Sequence, residues 1–407
     1  MLDLSNTVSV FSIVAVIILI GFAGDQFFKR TKVPSFIFLI LLGVIIGPIL
    51  NLFSSSEILP AVSILGELTL VMVLFYGGMD IDLKTILSGG IRIIVEVFLY
   101  VTISIITITA ATHYFLGWSV YEALIFASII GGETSAAVII PLSRAIGINE
   151  KSTIFLTLES ALNSVVLVIL FFTFLQLYQT GAVSSNLIID SLASSFSIGI
   201  FIGGSLSLLW IYVLKYFKKH RYTYVLTLGL LLGTFSITTT VGGSGLLSVV
   251  VFGIVLGNHK FISSIIKRKV DIQKLQKQLS IFQGEISFLL ETFFFVFLGM
   301  VFSISLSNLI FGLEFGALMV GILLLTRTFS VTASTFGSEM SADRKAIIIS
   351  CAQGLTVATL ALLSLQYAIP NADTFVVLAT YVIILTNVVT TIGTYFVSKG
   401  KLISYHP

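Results

Sequence analysis

The chain has 407 residues, of which 57% are hydrophobic and 10% charged, and its mean hydropathy is +1.10. A soluble globular chain is about a quarter charged and less than half apolar. This composition therefore excludes a cytosolic enzyme, a disordered protein and a nucleic-acid binder with a basic face. Net charge is +3, from 22 Lys and Arg against 19 Asp and Glu, so no strong field attracts a polyanion. The single cysteine, Cys351, and four scattered histidines rule out an intrachain disulfide and a metal–thiolate cluster. An all-α polytopic membrane protein remains.

The bilayer core is roughly 30 Å thick, and a helix needs about 20 mostly apolar residues to cross it. Thirteen stretches meet that need, at approximately 7–28, 34–53, 61–79, 91–116, 120–143, 152–178, 187–214, 222–240, 244–257, 284–304, 309–335, 345–368 and 374–397. Each run is continuously apolar, which fits helices and not barrel strands. The 222–257 region is the least regular, because Gly242, Gly243 and Gly245 interrupt it.

Lys and Arg fall in alternate connections: 29–33, 80–92, 144–151, 215–221, 258–283, 336–345 and the tail, which together hold 21 of the 22 cations. Positive residues stay on the cytoplasmic side, so the N-terminus is expected outside and the C-terminus in the cytoplasm of a cell-membrane protein. Met1–Asn6 carries Asp3 and no Lys or Arg, which leaves the first helix as a true span. The 258–283 connection alternates Ile262, Ile265, Ile266, Ile272, Leu275 and Leu279 with cations and is expected to lie as an amphipathic helix on the inner leaflet. No span-free stretch is long enough for a soluble regulatory domain.

An ionised side chain at mid-bilayer costs at least ~3 kcal/mol, so intramembrane charges are functional candidates. Glu67, Glu133, Glu159, Glu285 and Glu291 lie well inside the predicted spans, and Arg327 is the one basic residue that does. Arg327 needs a partner. Glu133 follows Gly131-Gly132 and precedes Thr134-Ser135 at the centre of span five, a sequence that breaks a helix. Span twelve has a matching weak point at Ala352-Gln353-Gly354-Leu355-Thr356. The two spans cross in opposite directions, and paired broken helices in two inverted halves are the best sequence pointer to a transporter site. Glycine interruptions that serve only close packing are the plain alternative. In span six, Glu159 and Asn163 share a face at i,i+4, with Ser160 alongside. Carboxylate, amide, hydroxyls and broken-helix carbonyls make an all-oxygen site, suited to a hard monovalent cation or a proton. A purely structural neutralisation of Arg327 by Glu159 is compatible with that site.

These residues resemble the monovalent cation:proton antiporter superfamily, especially its sodium/proton antiporter branch. The resemblance runs over the whole chain. It is carried by Leu65-Gly66-Glu67-Leu68 with Leu74-Phe75-Tyr76-Gly77-Gly78-Met79-Asp80, by Thr134-Ser135, and by Glu159-Ser160-Ala161-Leu162-Asn163-Ser164. Thr292 to Met300, Arg327 and Gln353-Gly354-Leu355 complete it. It implies cation ligands at the Thr134 carbonyl, Ser135, Glu159, Ser160 and Ser164, an Arg327–Glu159 pair steadied by Asn163, and a structuring role for position 353. It also implies an ion bundle, approximately 91–178 and 309–397, working against a dimer-contact panel, approximately 7–79 and 187–304, within a single membrane domain.

The sequence departs from the family pattern where the chemistry sits. The family's carboxylates at two positions are Ser164 and Ser135, and its span-twelve Arg is Gln353. Losing the charges at 135 and 353 together keeps the local balance. The one gain is Glu133, expected to replace the missing carboxylate and bind the cation or the proton, with a fixed helix-dipole compensator as the rival role. The cation set is then Glu133, Thr134, Glu159 and Ser160. Net core charge counts −2 from Glu133 and Glu159 and +1 from Arg327. The expectation is one-for-one, electroneutral exchange of sodium, potassium or lithium for protons by alternating access, in a homodimer that needs no cofactor and binds no nucleic acid. Alternatives are a same-fold cation uniporter or channel, or a sodium-coupled solute symporter. A non-transporting sensor has no reason to keep charge at mid-bilayer, and an enzyme lacks any Ser/His/Asp grouping or phosphate loop.

Overall fold

The computed structural model describes residues 7–31, 36–52, 55–85, 90–135, 138–139, 147–180, 185–217, 222–265, 273–301 and 306–403. Helices α1 (Thr7–Thr31) and α2 (Phe36–Val44) come first, and α2 runs into a π-helical turn, Ile45–Ile49, around Pro48. Then follow α3 (Ser55–Asp80), α4 (Ile91–Leu116), α5 (Val120–Ile130), α6 (Glu150–Thr180), α7 (Ser185–Phe217), α8 (Thr223–Thr240), α9 (Gly245–Gly257) and α10 (His259–Ile265). The chain continues through α11 (Gln273–Val301), α12 (Leu306–Ser334), a 3₁₀ turn (Glu339–Asp343), α13 (Arg344–Ile349), α14 (Leu355–Gln366) and α15 (Ala372–Ile403). No described residue lies in a strand.

Every predicted span contains one of these helices, and spans five and twelve are interrupted as expected. Local chemistry explains several ends. Ser119 and Glu122 form a reciprocal capping box at the start of α5. Ser244 caps α9 by accepting the Leu247 N–H at 3.3 Å, so the glycine-rich 242–245 stretch is a tight connection between two short crossing helices.

The amphipathic reading of 258–283 needs correction. The segment is divided between the short α10 and the first turns of α11, which is one helix from Gln273 to Val301. Leu275 to Phe288 holds no proline and a single glycine, Gly284, so nothing stops the helix between surface and span. Lys267, Arg268 and Lys269 lie outside the described residues, as do Met1–Asn6, residues 136–137 and 140–143 of span five, and Lys32, Arg144, Lys218, Lys219 and Arg221.

The buried core is led by Phe75, Tyr76, Tyr100, Phe126, Phe155, Phe171, Phe252, Phe294 and Phe375. Helix α3 packs on α9, α2 on α11, α4 on α12, α5 on α6, and α14 and α12 on α15. Large apolar side chains such as Phe201, Leu325, Phe329 and Phe396 remain exposed, as they must on helices surrounded by lipid tails.

Candidate ion-exchange site at the helix breaks

Span five unwinds at Gly131. The Gly131 N–H still reaches the Ala127 carbonyl at 2.7 Å, and then Gly132 turns to φ +116°, a region that favours glycine. Residues 133–135 run on as unwound backbone. Span twelve opens over 350–354, between α13 and α14.

Three hydrogen bonds tie the breaks together. Ser135 N–H donates to the Ala352 carbonyl at 2.7 Å. Gln353 Nε2 donates to the Ile130 carbonyl, the C-terminal end of α5, at 2.6 Å. Gly354 N–H donates to Glu133 Oε2 at 2.9 Å, at the N-terminus of α14. The C-terminus of α5 and the N-terminus of α14 are thus each satisfied by a side chain from the opposite break. The positive end of α14 meets a carboxylate, and the negative end of α5 meets a neutral amide donor. The Gln353 carbonyl accepts from Asn387 Nδ2 at 2.7 Å, which anchors this crossing to α15.

Glu133 is 2% exposed. Its Oε1 takes no hydrogen bond from a described residue. Glu291, half-buried on α11, lies within Coulombic range of Glu133. Thr134 turns the other way, toward α6. Its carbonyl accepts the Ser160 hydroxyl, and its Oγ1 lies 3.5 Å from Asn163 Nδ2. Glu133 and Thr134 thus serve different neighbours. Ser135 faces α14 with Glu133, its side chain against Gly354.

Arg327 is fully buried and bidentate on Glu159, with NH1–Oε1 at 2.6 Å and NH2–Oε2 at 3.2 Å. Its Nε and NH2 donate to the Ile347 carbonyl, and Nε also reaches Ile348, at the end of α13. Asn163 Nδ2 adds a bond to Glu159 Oε1 at 3.2 Å. The Tyr100 ring lies 5.1 Å from the guanidinium carbon, in cation–π range. Both Glu159 oxygens are therefore occupied, whereas Glu133 keeps one oxygen open. Ser164 is half-buried and its hydroxyl has no hydrogen-bond partner among the described residues.

One acid escaped the sequence reading. Glu96 is fully buried on α4 and accepts the Ser330 hydroxyl at 2.9 Å and the Ser334 hydroxyl at 3.0 Å. The signal was present as periodicity. Glu96, Tyr100 and Ser104 repeat at four-residue spacing, and Arg327, Ser330 and Ser334 at three and four. Ser104 Oγ and Thr326 Oγ1 complete this α4–α12 seam at 2.9 Å. Glu285 is exposed on α11 and stands apart from the site. Glu67 lines a separate cavity of about 340 Å³ with Gln176, Phe235, Ser244 and Tyr367.

The model of the transmembrane sodium/hydrogen exchanger matches residues 13–399. The chain belongs to that family. Na(+)/H(+) antiporter 1 of Methanocaldococcus jannaschii is 26% identical over 363 residues, covering 85% of this chain and 80% of that protein. The Na(+)/H(+) antiporter ApNhaP of Aphanothece halophytica is 29% identical over 195 residues, 47% of this chain and 37% of the relative. A K(+)/H(+) antiporter, NhaP2 of Shewanella, is 27% identical over 293 residues, 70% of this chain and 48% of the relative. The chain thus spans well under two thirds of two of these three proteins. The structure of the sodium proton antiporter MjNhaP1 superposes with a TM-score of 0.78 at 21% identity, covering 96% of this chain and 97% of that one. The exchanger fold accounts for about thirteen crossing helices with breaks in spans five and twelve. It is a transporter family and not an enzyme family, and its members are multi-pass membrane proteins.

Proposed function

We propose that this protein exchanges a monovalent cation, sodium in the first instance, for protons across the cell membrane, with its N-terminus outside. Glu133 is the exchanging carboxylate, loaded by a proton or a cation in turn. The Thr134 carbonyl and the hydroxyls of Ser160, Ser135 and Ser164 supply neutral oxygens of the kind a hard cation accepts. Glu159 remains the counter-charge of Arg327, with Asn163 and Gln353 holding the framework. The observation that carries this reading is the unequal use of the two acids: Arg327 occupies both oxygens of Glu159, while Glu133 commits only Oε2.

Stoichiometry follows the number of carboxylates that swap a proton for a cation. Glu96 adds a third acid to the core charge count and leaves that number at one, so exchange is one for one and electroneutral. Alternating access would move the bundle of α4–α6 and α12–α15 against a panel formed by the remaining helices, which would also carry a homodimer contact.

The test is transport in liposomes with a pH-sensitive dye inside and sodium, lithium or potassium applied outside. A cation-driven proton flux that is insensitive to membrane potential is expected. Cation uptake without proton movement would establish a uniporter or channel instead.

A further inference from the structure

Arg327 is held from two sides. Glu159, on α6, takes NH1 and NH2, and the Ile347 and Ile348 carbonyls of α13 take Nε and NH2. The two arms come from distant parts of the chain, so the cradle forms only if α6 and α13 keep a fixed spacing. One buried side chain spans that spacing. Asp343 is 6% exposed and stands directly before α13, at the end of the 3₁₀ turn. Its Oδ2 accepts the Asn149 N–H at 2.9 Å and the Ser152 hydroxyl at 3.0 Å. Asn149 in turn caps α6, its side chain accepting the Ser152 N–H at 2.7 Å. A single carboxylate oxygen thus joins the start of α13 to the start of α6.

Helix register carries this contact to the ion site. On α6, Ser152 precedes Glu159 by seven residues and Glu159 precedes Asn163 by four, so all three share one face. Asp343 precedes Ile347 by four. The Asp343 bridge and the Arg327 cradle are therefore two cross-links between α6 and α13, about two turns apart along α6 and one along α13. Beside Glu159 stands Ser160, whose hydroxyl meets the Thr134 carbonyl. A slip of α6 relative to α13 would move Glu159, Ser160 and Asn163 together, away from Arg327 and from the unwound backbone of span five. Misplacements of about 1 Å within such a constellation are costly. An exposed pair, Lys151 with Glu339 at 2.8 Å, links the same two connections. Exposed pairs hold little, so this one does not replace the buried bridge and serves as its control.

We propose that Asp343 is a positioning residue of the exchanger: by accepting from Asn149 and Ser152 it locks the start of α6 to the start of α13, and so sets Glu159 against Arg327 and Ser160 against Thr134 as the cation site requires. The role needs an acceptor oxygen and not a charge. Asp343 touches neither the cation nor the exchanged proton. The inference rests on the exchange function proposed above.

The experiment measures sodium-driven proton flux of the full-length protein in liposomes across a range of sodium concentrations, with thermal unfolding of the same preparations. In Asp343→Ala the KM for sodium should rise about tenfold, the scale on which lost outer-shell partners weaken ion sites, while the maximal rate stays within about threefold. Asp343→Asn keeps an acceptor oxygen in place and should remain within about twofold of the wild type. Ser152→Ala removes one of the two bonds and should raise KM about threefold, and it carries the test should Asp343→Ala fail to fold. Lys151→Ala removes the exposed pair and should leave KM unchanged. A wild-type protein that exchanges cations, together with an unmoved KM in a folded Asp343→Ala or in Ser152→Ala, overturns this inference alone, even if the unfolding temperature falls. So does an Asp343→Asn protein as impaired as Asp343→Ala, or a Lys151→Ala protein whose KM shifts as far. A wild-type protein that drives no proton flux overturns the exchange function itself, and the role of Asp343 with it.

Discussion

The carboxylate of Glu133 caps a helix that belongs to a different span: Gly354, at the start of α14, gives its N–H to Glu133 Oε2 at 2.9 Å. An acid in this position is stabilised by the helix dipole and offers its second oxygen to a ligand.

Glu133→Gln separates those two roles. The amide oxygen still accepts the Gly354 N–H, so the fold should lose only the charge–dipole contribution, about 0.3–1 kcal/mol. Proton-coupled cation exchange should fall to background. Thermal unfolding and dye-monitored transport on the same preparation check both statements. Full retained exchange would make Glu133 a fixed dipole compensator.

Breaking the central ion pair should cost far more. Arg327→Gln leaves Glu159 buried and uncompensated, a loss of about 3–5 kcal/mol that should appear as poor membrane accumulation or a sharply lowered unfolding temperature. The double change Arg327→Met with Glu159→Leu removes both charges and should recover most of that stability without recovering exchange. A double change as unstable as Arg327→Gln would mean that the pair is needed for its shape and not for its neutrality.

The close approach of the two breaks predicts a steric rescue. A Cβ on Gly354 would meet Ser135 Oγ at 2.6 Å and Ser135 Cβ at 2.9 Å. Gly354→Ala should therefore part the crossing and destabilise by about 1–3 kcal/mol. Ser135→Gly removes both opposing atoms, and Gly354→Ala with Ser135→Gly should be more stable than Gly354→Ala alone. Thermal unfolding of the three proteins decides it.

Outside the membrane, Asp82 accepts the Thr85 hydroxyl at 2.7 Å and the Lys84 N–H at 2.9 Å. The Thr85 bond above all holds its carboxyl below the ordinary value of 3.8. A group depressed on folding contributes stability above its unfolded pKa and loses it as pH falls through the folded value. Its effect is thus confined to pH below about 4. The dependence of exchange on pH from about 5 to 8 should be the same for Asp82→Asn and wild type. A displaced profile would place a pH-setting group in this connection.

Much of the site was legible because charge in hydrocarbon is costly. Glu133, Glu159 and Arg327 stand out in apolar runs, and Gly131-Gly132 beside Glu133 marks where a helix cannot continue. Glu96 was missed for the same reason in reverse. It lies five residues into span four, one turn from Arg92, where a charge reads as an interfacial side chain reaching for water. Only the facing serines of α12 reveal that it is buried. The 258–283 connection is divided between two helices, which its amphipathic periodicity could not reveal, because the period is the same in one helix or in two.

By itself the sequence determined that the chain crosses the membrane repeatedly, where its two helices break, and which acids must be paired or used, since all of these follow from the local cost of polar groups in lipid. Tertiary structure decided how the acids divide their labour. Whether a carboxylate meets a guanidinium, a helix end or a pair of hydroxyls depends on contacts between residues 168 to 238 positions apart. No local pattern encodes those distances; packing of one helix on another sets them.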